Sequence, residues 1–454
     1  MRRALMLGLV AALLAASCGD GGAAGEGATT APATTLAPGT TMPGETSTTA
    51  TGAQAVLASH LARGAAAASA ADVAAVAAGD AAFGAELLAI LGAGNGGNLA
   101  VSPLSIRLAL AMAYAGARGE TAAQMARVLR YELPGEALHA AFNSLDQALE
   151  ARNRVLTGEG GADRRVEISV SNALWGQAGL GVEAAFLDTL AANYGAGMRV
   201  VDFAGAVEAA RATINAWVAA ETNDRITDLI PEGALTPATL LVLTNTVYLF
   251  ADWALPFSSE ATADGAFTRL DGTTATVPFM NQLLPAAYAA GDGWQAIDLG
   301  YAGGEVAMLL VLPDAGRFDE AAGASATLFG EALGALADTD VQLALPRFEF
   351  RTQASLPDAL EALGMADAFN SGRADFTGIL SGGGLFISDV IHEVFVAVNE
   401  AGTEAAAATA VILGRGGPPP GPVQLTFDRP FLFWLYDRAT HSVLFMGRVL
   451  DPSG

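Results

Sequence analysis

The chain predicts an α+β fold around a large sheet, on three observations. Beyond residue 70, helical periodicity fills the first half, strand-like runs fill the second, and no repeat or second linker separates them. Asp80–Leu91 places Phe83, Leu87, Leu88 and Leu91 on one helical face. Ser105–Ala115 and Gln124–Leu129 continue that pattern, punctuated by Gly116-Ala117-Arg118-Gly119, and Glu208–Ala220 forms another amphipathic helix with Ile214, Trp217 and Val218. Strands come between and after these. Val166–Val170 alternates, Leu240–Phe250 is rich in β-formers, and Val306–Leu312 is a continuous apolar run that should be buried on both faces. Val341–Leu345, Leu385–Val390, Phe395–Val398, Phe431–Tyr436 and Val443–Phe445 complete the set.

Composition removes several functions. Of 70 charged positions, 23 are basic and 47 acidic, which leaves a formal net charge of -24, and every basic residue is arginine. No Lys/Arg cluster offers a surface to nucleic acid or to a heparin-like polyanion, so neither is expected as a partner. The single cysteine excludes an internal disulfide framework and a thiolate zinc site within the chain.

The N-terminus reads as an address. Arg2 and Arg3 precede the apolar run Ala4–Ala16, which at about 13 residues suits a signal-peptide core better than a membrane span. It leads to Leu14-Ala15-Ala16-Ser17-Cys18-Gly19, which resembles a bacterial lipobox although Ala15 stands where Leu is preferred. Residues 1–17 are thus expected to be a signal peptide. Cys18 is expected to carry lipid and to hold the chain outside the cytoplasmic membrane, with plain secretion as the alternative. The Thr/Ala/Gly/Pro-rich tract from Gly19 to about Gly52 has too little apolar surface to offset its ordering entropy and reads as a stalk. Ala55–Ala78 is Ala-rich and weakly helical, so the stalk is taken as 18–69 and the folded domain as 70–454.

Enzyme motifs fail on context. Gly92-Ala93-Gly94-Asn95-Gly96-Gly97 fits the dinucleotide-loop spacing but follows a helix and precedes a strand, the reverse of what phosphate binding needs. His392-Glu393 begins like a zinc-protease helix, yet no second histidine follows, and no GxSxG elbow surrounds any serine. No metal or cofactor is expected, and a polar core role is assigned to His392. One segment remains odd: Thr403-Glu404-Ala405-Ala406-Ala407-Ala408-Thr409, followed by Ala410 to Pro420 and flanked on both sides by strands. A loop of that length inside a compact domain is usually functional. As a strand, Thr403, Ala405, Ala407 and Thr409 would share one face of small side chains able to slide between existing strands.

From about Ala70 onward the chain resembles the serpin family. The resemblance rests on Asn98–Ile106 (NLAVSPLSI), Gly116–Thr121 (GARGET), Asn172–Trp175 (NALW) and Val201–Phe203 (VDF). It continues through Ile214–Val218 (INAWV), Asn245–Tyr248 (NTVY) with Trp253, Leu345–Phe348 (LPRF), Leu363–Met365 (LGM) and Ala374–Phe376 (ADF). Val398–Glu404 (VNEAGTE), Arg429–Phe433 (RPFLF) and Phe445–Val449 (FMGRV) close it.

The resemblance implies a fold of three β-sheets and roughly nine helices, with an exposed reactive-centre loop that baits a protease. It implies no catalysis. The partner would be a serine protease, trapped once as a covalent acyl-enzyme when the cut loop inserts into the central sheet, and the inhibitor would be a monomer. By position, Glu400, Gly402, Thr403, Glu404 and Ala405–Ala408 would be the hinge, Gly402 permitting the turn. Ser102, Ser105, Asn245 and His392 would form the polar cluster where the sheet opens, with Trp253 near its top. The family spacing from Glu400 reaches Gly416 as the carbonyl donor of the scissile bond. Arg415, one step earlier, is the only charged residue between Glu404 and Asp428. It makes Arg415–Gly416 the expected bond and a trypsin-like protease the expected target. Leu413 or Gly416 would instead suit an elastase- or subtilisin-like enzyme. A substrate-like or binding serpin remains the alternative, and a hydrolase is the reading from a different class.

Overall fold

The computed structural model describes residues 47–51, 54–157, 163–403 and 421–453. The expected signal peptide, Cys18 and most of the stalk lie outside them. Among the described residues there are nine α-helices: α1 (Ala70–Gly92), α2 (Pro103–Tyr114), α3 (Gly119–Val128), α4 (Gly135–Glu150), α5 (Ala184–Tyr194), α6 (Val207–Glu221), α7 (Phe318–Gly323), α8 (Ser325–Ala335) and α9 (Pro357–Ala362). The first sheet holds β1 (Ser47–Thr51), β2 (Gln54–Ala58), β4 (Arg154–Thr157), β5 (Asp163–Gln177), β6 (Met198–Val201), β7 (Leu241–Asp252), β13 (Phe348–Ser355), β14 (Asp389–Val398) and β15 (Gly402–Thr403). The second holds β3 (Leu99–Val101), β8 (Ala263–Thr268), β9 (Thr274–Gly291), β10 (Trp294–Gly300), β11 (Val306–Pro313), β12 (Ala337–Pro346), β16 (Val423–Thr426), β17 (Phe431–Asp437) and β18 (Val443–Val449). Because the 18-residue β9 pairs with β8 and β12 along most of its length and with β10 at its far end, two of the three expected sheets run into one another.

Local chemistry explains the buried helix that supports the site. Ser102 caps α2 by accepting from the Ser105 N–H at 3.4 Å, and Pro103 occupies the first turn, where no amide hydrogen is needed. Every residue from Pro103 to Ala113 is buried, so α2 packs between β5 and β7 on one side and β18 on the other. Arg107 in this helix is fully buried and ion-paired with Asp80 of α1. Its guanidinium also donates to the carbonyls of Val76 and Leu129, and Ser442 donates to Asp80, so the charge is compensated on all sides. Gly79 leaves the room, since a Cβ there would lie 2.3 Å from Arg107 Nη2.

The first sheet is covered on both faces. The main core fills the space toward the second sheet, while a smaller cluster of Trp175, Phe203, Ile214, Val218, Val242 and Ile391 lies under α6. That double burial explains why β7 is buried continuously from Leu241 to Leu249 rather than at alternate positions.

Three sequence expectations change. Ala55–Ala78 is not one weak helix: Gln54–Ala58 is a strand, an extended segment follows, and the helix starts at Ala70 behind the Ser69 cap. Helix propensity loses here to pairing, because Ala55, Val56 and Leu57 join the free edge of β6 opposite Val200, Arg199 and Met198. Residues 59–69 are also tied down. Ser59 donates to Asp188 at 2.5 Å, the Gly64 N–H donates to Ala192 O at 2.8 Å, and Arg63 reaches Asn143, Asp146 and Glu150 on α4. Finally, Leu385–Val390 and Phe395–Val398 are not two strands. One strand runs from Asp389 to Val398, and buried Leu385 and Ile387 belong to the loop before it, where the Ile387 and Ser388 N–H groups donate to Ala368 O and Leu241 O.

Candidate functional site

The first sheet has a seam. β7 and β14 run parallel, with Val242–Val247 opposite Asp389–Val394, whereas the outer neighbours of each are antiparallel: β5 beside β7 and β13 beside β14. Above the seam the two strands part, and β15 sits between them, antiparallel to both: Thr403 pairs with Val398 on one side and Ala251 on the other. Gly402 and Thr403, where the expected hinge begins, therefore already occupy the top of the sheet. Gly402 is needed there for proximity rather than for a turn. Its φ is not positive, and a Cβ would lie 2.0 Å from Ala251 O.

Side chains hold this wedge from three directions. Glu400 accepts from Arg347 Nε at 2.8 Å and from Thr262 Oγ1 at 2.5 Å, and its backbone carbonyl accepts from the Phe257 N–H at 2.8 Å. Burial disfavours the Glu400 carboxylate, but the hydrogen bonds from Arg347 and Thr262 outweigh it, and its pKa falls below the ordinary glutamate value. Thr403 Oγ1 and Tyr301 Oη lie 2.6 Å apart. The Tyr301 ring stacks on Trp253 with centroids 4.4 Å apart, and Trp253 Nε1 donates to Asn399 O at 2.9 Å. Trp253 is buried, and its backbone N–H donates to Ala401 O at 2.8 Å, so it packs directly against the turn that feeds the wedge.

Lower down, the predicted polar cluster is assembled from four distant parts of the chain. The Ser102 N–H donates to His392 Nε2 at 3.2 Å, across 290 positions of sequence. His392 Nδ1 lies 2.5 Å from Asn245 Oδ1, and Asn245 Nδ2 hydrogen-bonds both Ser105 Oγ and Asn172 Oδ1. Ser102, Ser105, Asn245 and His392 are all buried. Burial holds the His392 pKa down to about 3, so the ring stays neutral and Nε2 remains an acceptor. Glu404, Ala405–Ala408, Leu413, Arg415 and Gly416 lie outside the described residues, as does Cys18.

This arrangement has known counterparts. The family profile described as serpin (serine protease inhibitor) matches residues 78–452. The chain belongs to the serpin family. An uncharacterized serpin-like protein of Thermococcus kodakarensis is 39% identical over 363 residues, covering 79% of this chain and 82% of that protein. The leukocyte elastase inhibitor of Xenopus laevis is 34% identical over 369 residues, covering 78% and 93%. Among solved structures, human thyroxine-binding globulin superposes with a TM-score of 0.74 at 26% identity, covering 84% of this chain and 100% of the other. The α+β serpin fold is thus established, and serpins act as protease inhibitors or as binding proteins rather than as enzymes. The relatives include both kinds by name.

Four residues of this serpin's site, Asn172, Arg347, Tyr301 and Thr262, lie beyond those the resemblance marked. Asn172 was visible in the NALW motif, but only pairing with β7 brings it to Asn245. Arg347 stood in the LPRF motif without a partner to suggest its role. Tyr301 and Thr262 carry no sequence signal, because a single tyrosine and a single threonine outside the regular strands have no pattern to read.

Proposed function

We propose that this serpin is a single-use inhibitor of trypsin-like serine proteases that traps the acyl-enzyme by loop insertion. The observation that carries this reading is the seam: a parallel pair, β7 and β14, with antiparallel partners outside it and a short strand already wedged at its top. A strand added between them continues β15 and turns that parallel contact into two antiparallel ones. Inserting about a dozen residues gains roughly 1 kcal/mol per ladder hydrogen bond, on the order of 10 kcal/mol in all. The uncut molecule is then held kinetically rather than at its lowest free energy. Small residues at Ala405–Ala408 suit that passage, and Arg415 suits an acidic specificity pocket in the target.

Incubation with trypsin, read by denaturing gel and intact mass, tests the mechanism and the bond together. The expected result is an SDS-stable complex and a released peptide beginning at Gly416. Cleavage without a complex, with trypsin still active, would favour the substrate-like reading. Thr403→Arg should convert the inhibitor into a substrate, because a guanidinium cannot be accommodated beside Tyr301 in the sheet; undiminished inhibition by that variant would refute insertion. We also propose a lipid anchor at Cys18 outside the cytoplasmic membrane, which predicts that Cys18→Ser releases the protein from membranes.

A further inference from the structure

The glycine-rich loop between α1 and β3 has the spacing of a phosphate loop without its setting, and neither the seam nor the hinge uses it. It contains Asn95-Gly96, the only Asn-Gly pair in the chain, and both residues are exposed. Gly94, at φ 81°, takes the chain away from α1, and the Asn95 side chain folds forward so that Oδ1 accepts from the Gly97 N–H at 2.9 Å. That bond polarises the side-chain carbonyl. It also aims a donor at the oxygen on which negative charge builds when Cγ is attacked. The Gly96 N–H is next in the chain and makes no hydrogen bond among the described residues. A Cβ at Gly96 would meet nothing within 4 Å, so a ring closed across Asn95 and Gly96 has room.

Two similar turns each lack one of these features. Asn370 makes the same contact, Oδ1 accepting from the Gly372 N–H at 2.9 Å, and it is exposed as well. The residue after it is Ser371, whose Cβ crowds the nitrogen that would have to attack. Asp271-Gly272 has the glycine, but the Gly272 N–H donates to Arg269 O at 3.0 Å and is not free. The Asn95 loop is also tied to the end of β18. Arg448 Nη2 donates to Asn95 O at 2.5 Å and to Gly92 O at 3.4 Å, and Asn98 Oδ1 accepts from the Leu450 and Asp451 N–H groups at 2.7 and 3.0 Å.

We propose that Asn95 is a modification site, deamidating without an enzyme through a succinimide shared with Gly96. The Gly96 nitrogen gives up its proton and bonds to Asn95 Cγ. The Cγ–Nδ2 bond breaks, and Nδ2 leaves as ammonia with that proton. Water then opens the ring at either carbonyl. Opening at Cγ gives aspartate on an unchanged backbone. Opening at the main-chain carbonyl gives isoaspartate, which lengthens the backbone by one carbon. Arg448 holds and polarises that main-chain oxygen, so the isoaspartyl product is favoured, and its new carboxylate stays paired with the guanidinium. The modification is independent of whether the chain traps a protease.

The test is incubation of the full chain in warm neutral buffer made with heavy-oxygen water, followed over days by peptide mapping and mass spectrometry. Ring opening fixes one heavy oxygen at residue 95, which separates new deamidation from any aspartate already present. Label is expected at Asn95 first, with isoaspartate the larger product, and at Asn370 about tenfold more slowly. Gly96→Ala, at a position open to a methyl group, should slow labelling of Asn95 by about tenfold and leave Asn370 unchanged. Label at Asn370 as early as at Asn95, no label at Asn95 in the folded chain, or an unchanged rate in folded Gly96→Ala would overturn the proposal.

Discussion

The two large sheets are organised differently at their centres. In the second, β10, β11, β17 and β18 are antiparallel neighbours throughout, and all eight residues of β11 are buried. Both edges of β11 are hydrogen-bonded along most of its length, so that region has no place for another strand. In the first sheet, β7 and β14 meet as a parallel pair below and part around a two-residue wedge above. The difference is one of pattern, not of burial, since the paired parts of both regions are closed to solvent. The antiparallel run β10, β11, β17 and β18 is finished. The first sheet holds a second parallel contact, β5 with β6, but among the described residues no strand is wedged into it, so the parted tops of β7 and β14 mark where another strand enters.

That contrast can be broken from either side. The largest effect is expected on the finished side: Leu310→Ala, at a fully buried position of β11, should cost about 2–5 kcal/mol in urea unfolding. It should leave the ratio of trapped to cleaved product unchanged among folded molecules. A larger loss of trapping than of folded protein would show that the two sheets are not independent. Gly402→Val acts on the other side. Its side chain would collide with the Ala251 carbonyl, at about 1–3 kcal/mol for overpacking, and should expel β15 from the seam. Faster hydrogen exchange confined to the 399–403 turn and the tops of β7 and β14 is the expected readout.

Protonation sharpens the comparison further. His392 has a folded pKa of about 3, below its ordinary value of 6.5, so the unfolded state binds the extra proton in that window. Its contribution is fully present above about pH 6.5 and is lost as pH falls toward 3, with a slope of at most about 1.4 kcal/mol per pH unit. His139, held down to about 4 by burial, adds a slope of the same sign. His392→Gln should flatten the stability–pH curve by one proton's worth, and an unaltered slope would place the titration elsewhere. The smallest effect is expected at Arg347, whose side chain is 43% exposed. Arg347→Ala should change global stability by about 0–1 kcal/mol yet speed exchange at Ala401–Thr403. Acidification should do the same: the lowered Glu400 pKa means its support is present above the ordinary glutamate range and lost as pH falls through the folded value.

Much of this was legible in the chain, for identifiable reasons. The helical periodicity of Ser105–Ala115, the β-forming run of β7, the apolar run of β11 and the small residues after Gly402 are local statements about periodicity, burial and size. Local chemistry is enough to make them. The start of the domain was less legible, because an Ala-rich segment has helix propensity and only the free edge of β6 makes Gln54–Ala58 a strand. The split of β14 into two runs failed similarly: Leu385 and Ile387 are as apolar as strand residues, but they are buried in a loop.

The candidate site divides along the same line. The sequence by itself determined which residues are small, which are polar in an apolar context and where a long segment separates two strands. Tertiary structure decided which of them meet. The route from Ser102 to His392, Asn245 and Asn172, the stack of Trp253 on Tyr301, and the grip of Arg347 on Glu400 all join positions far apart in the chain. Strand neighbours and register create those contacts, and a register shifted by one residue would turn each strand's side chains to the opposite face. Capping and periodicity act within a few residues and can be read from them, whereas a buried hydrogen-bond relay exists only once the sheet order is set.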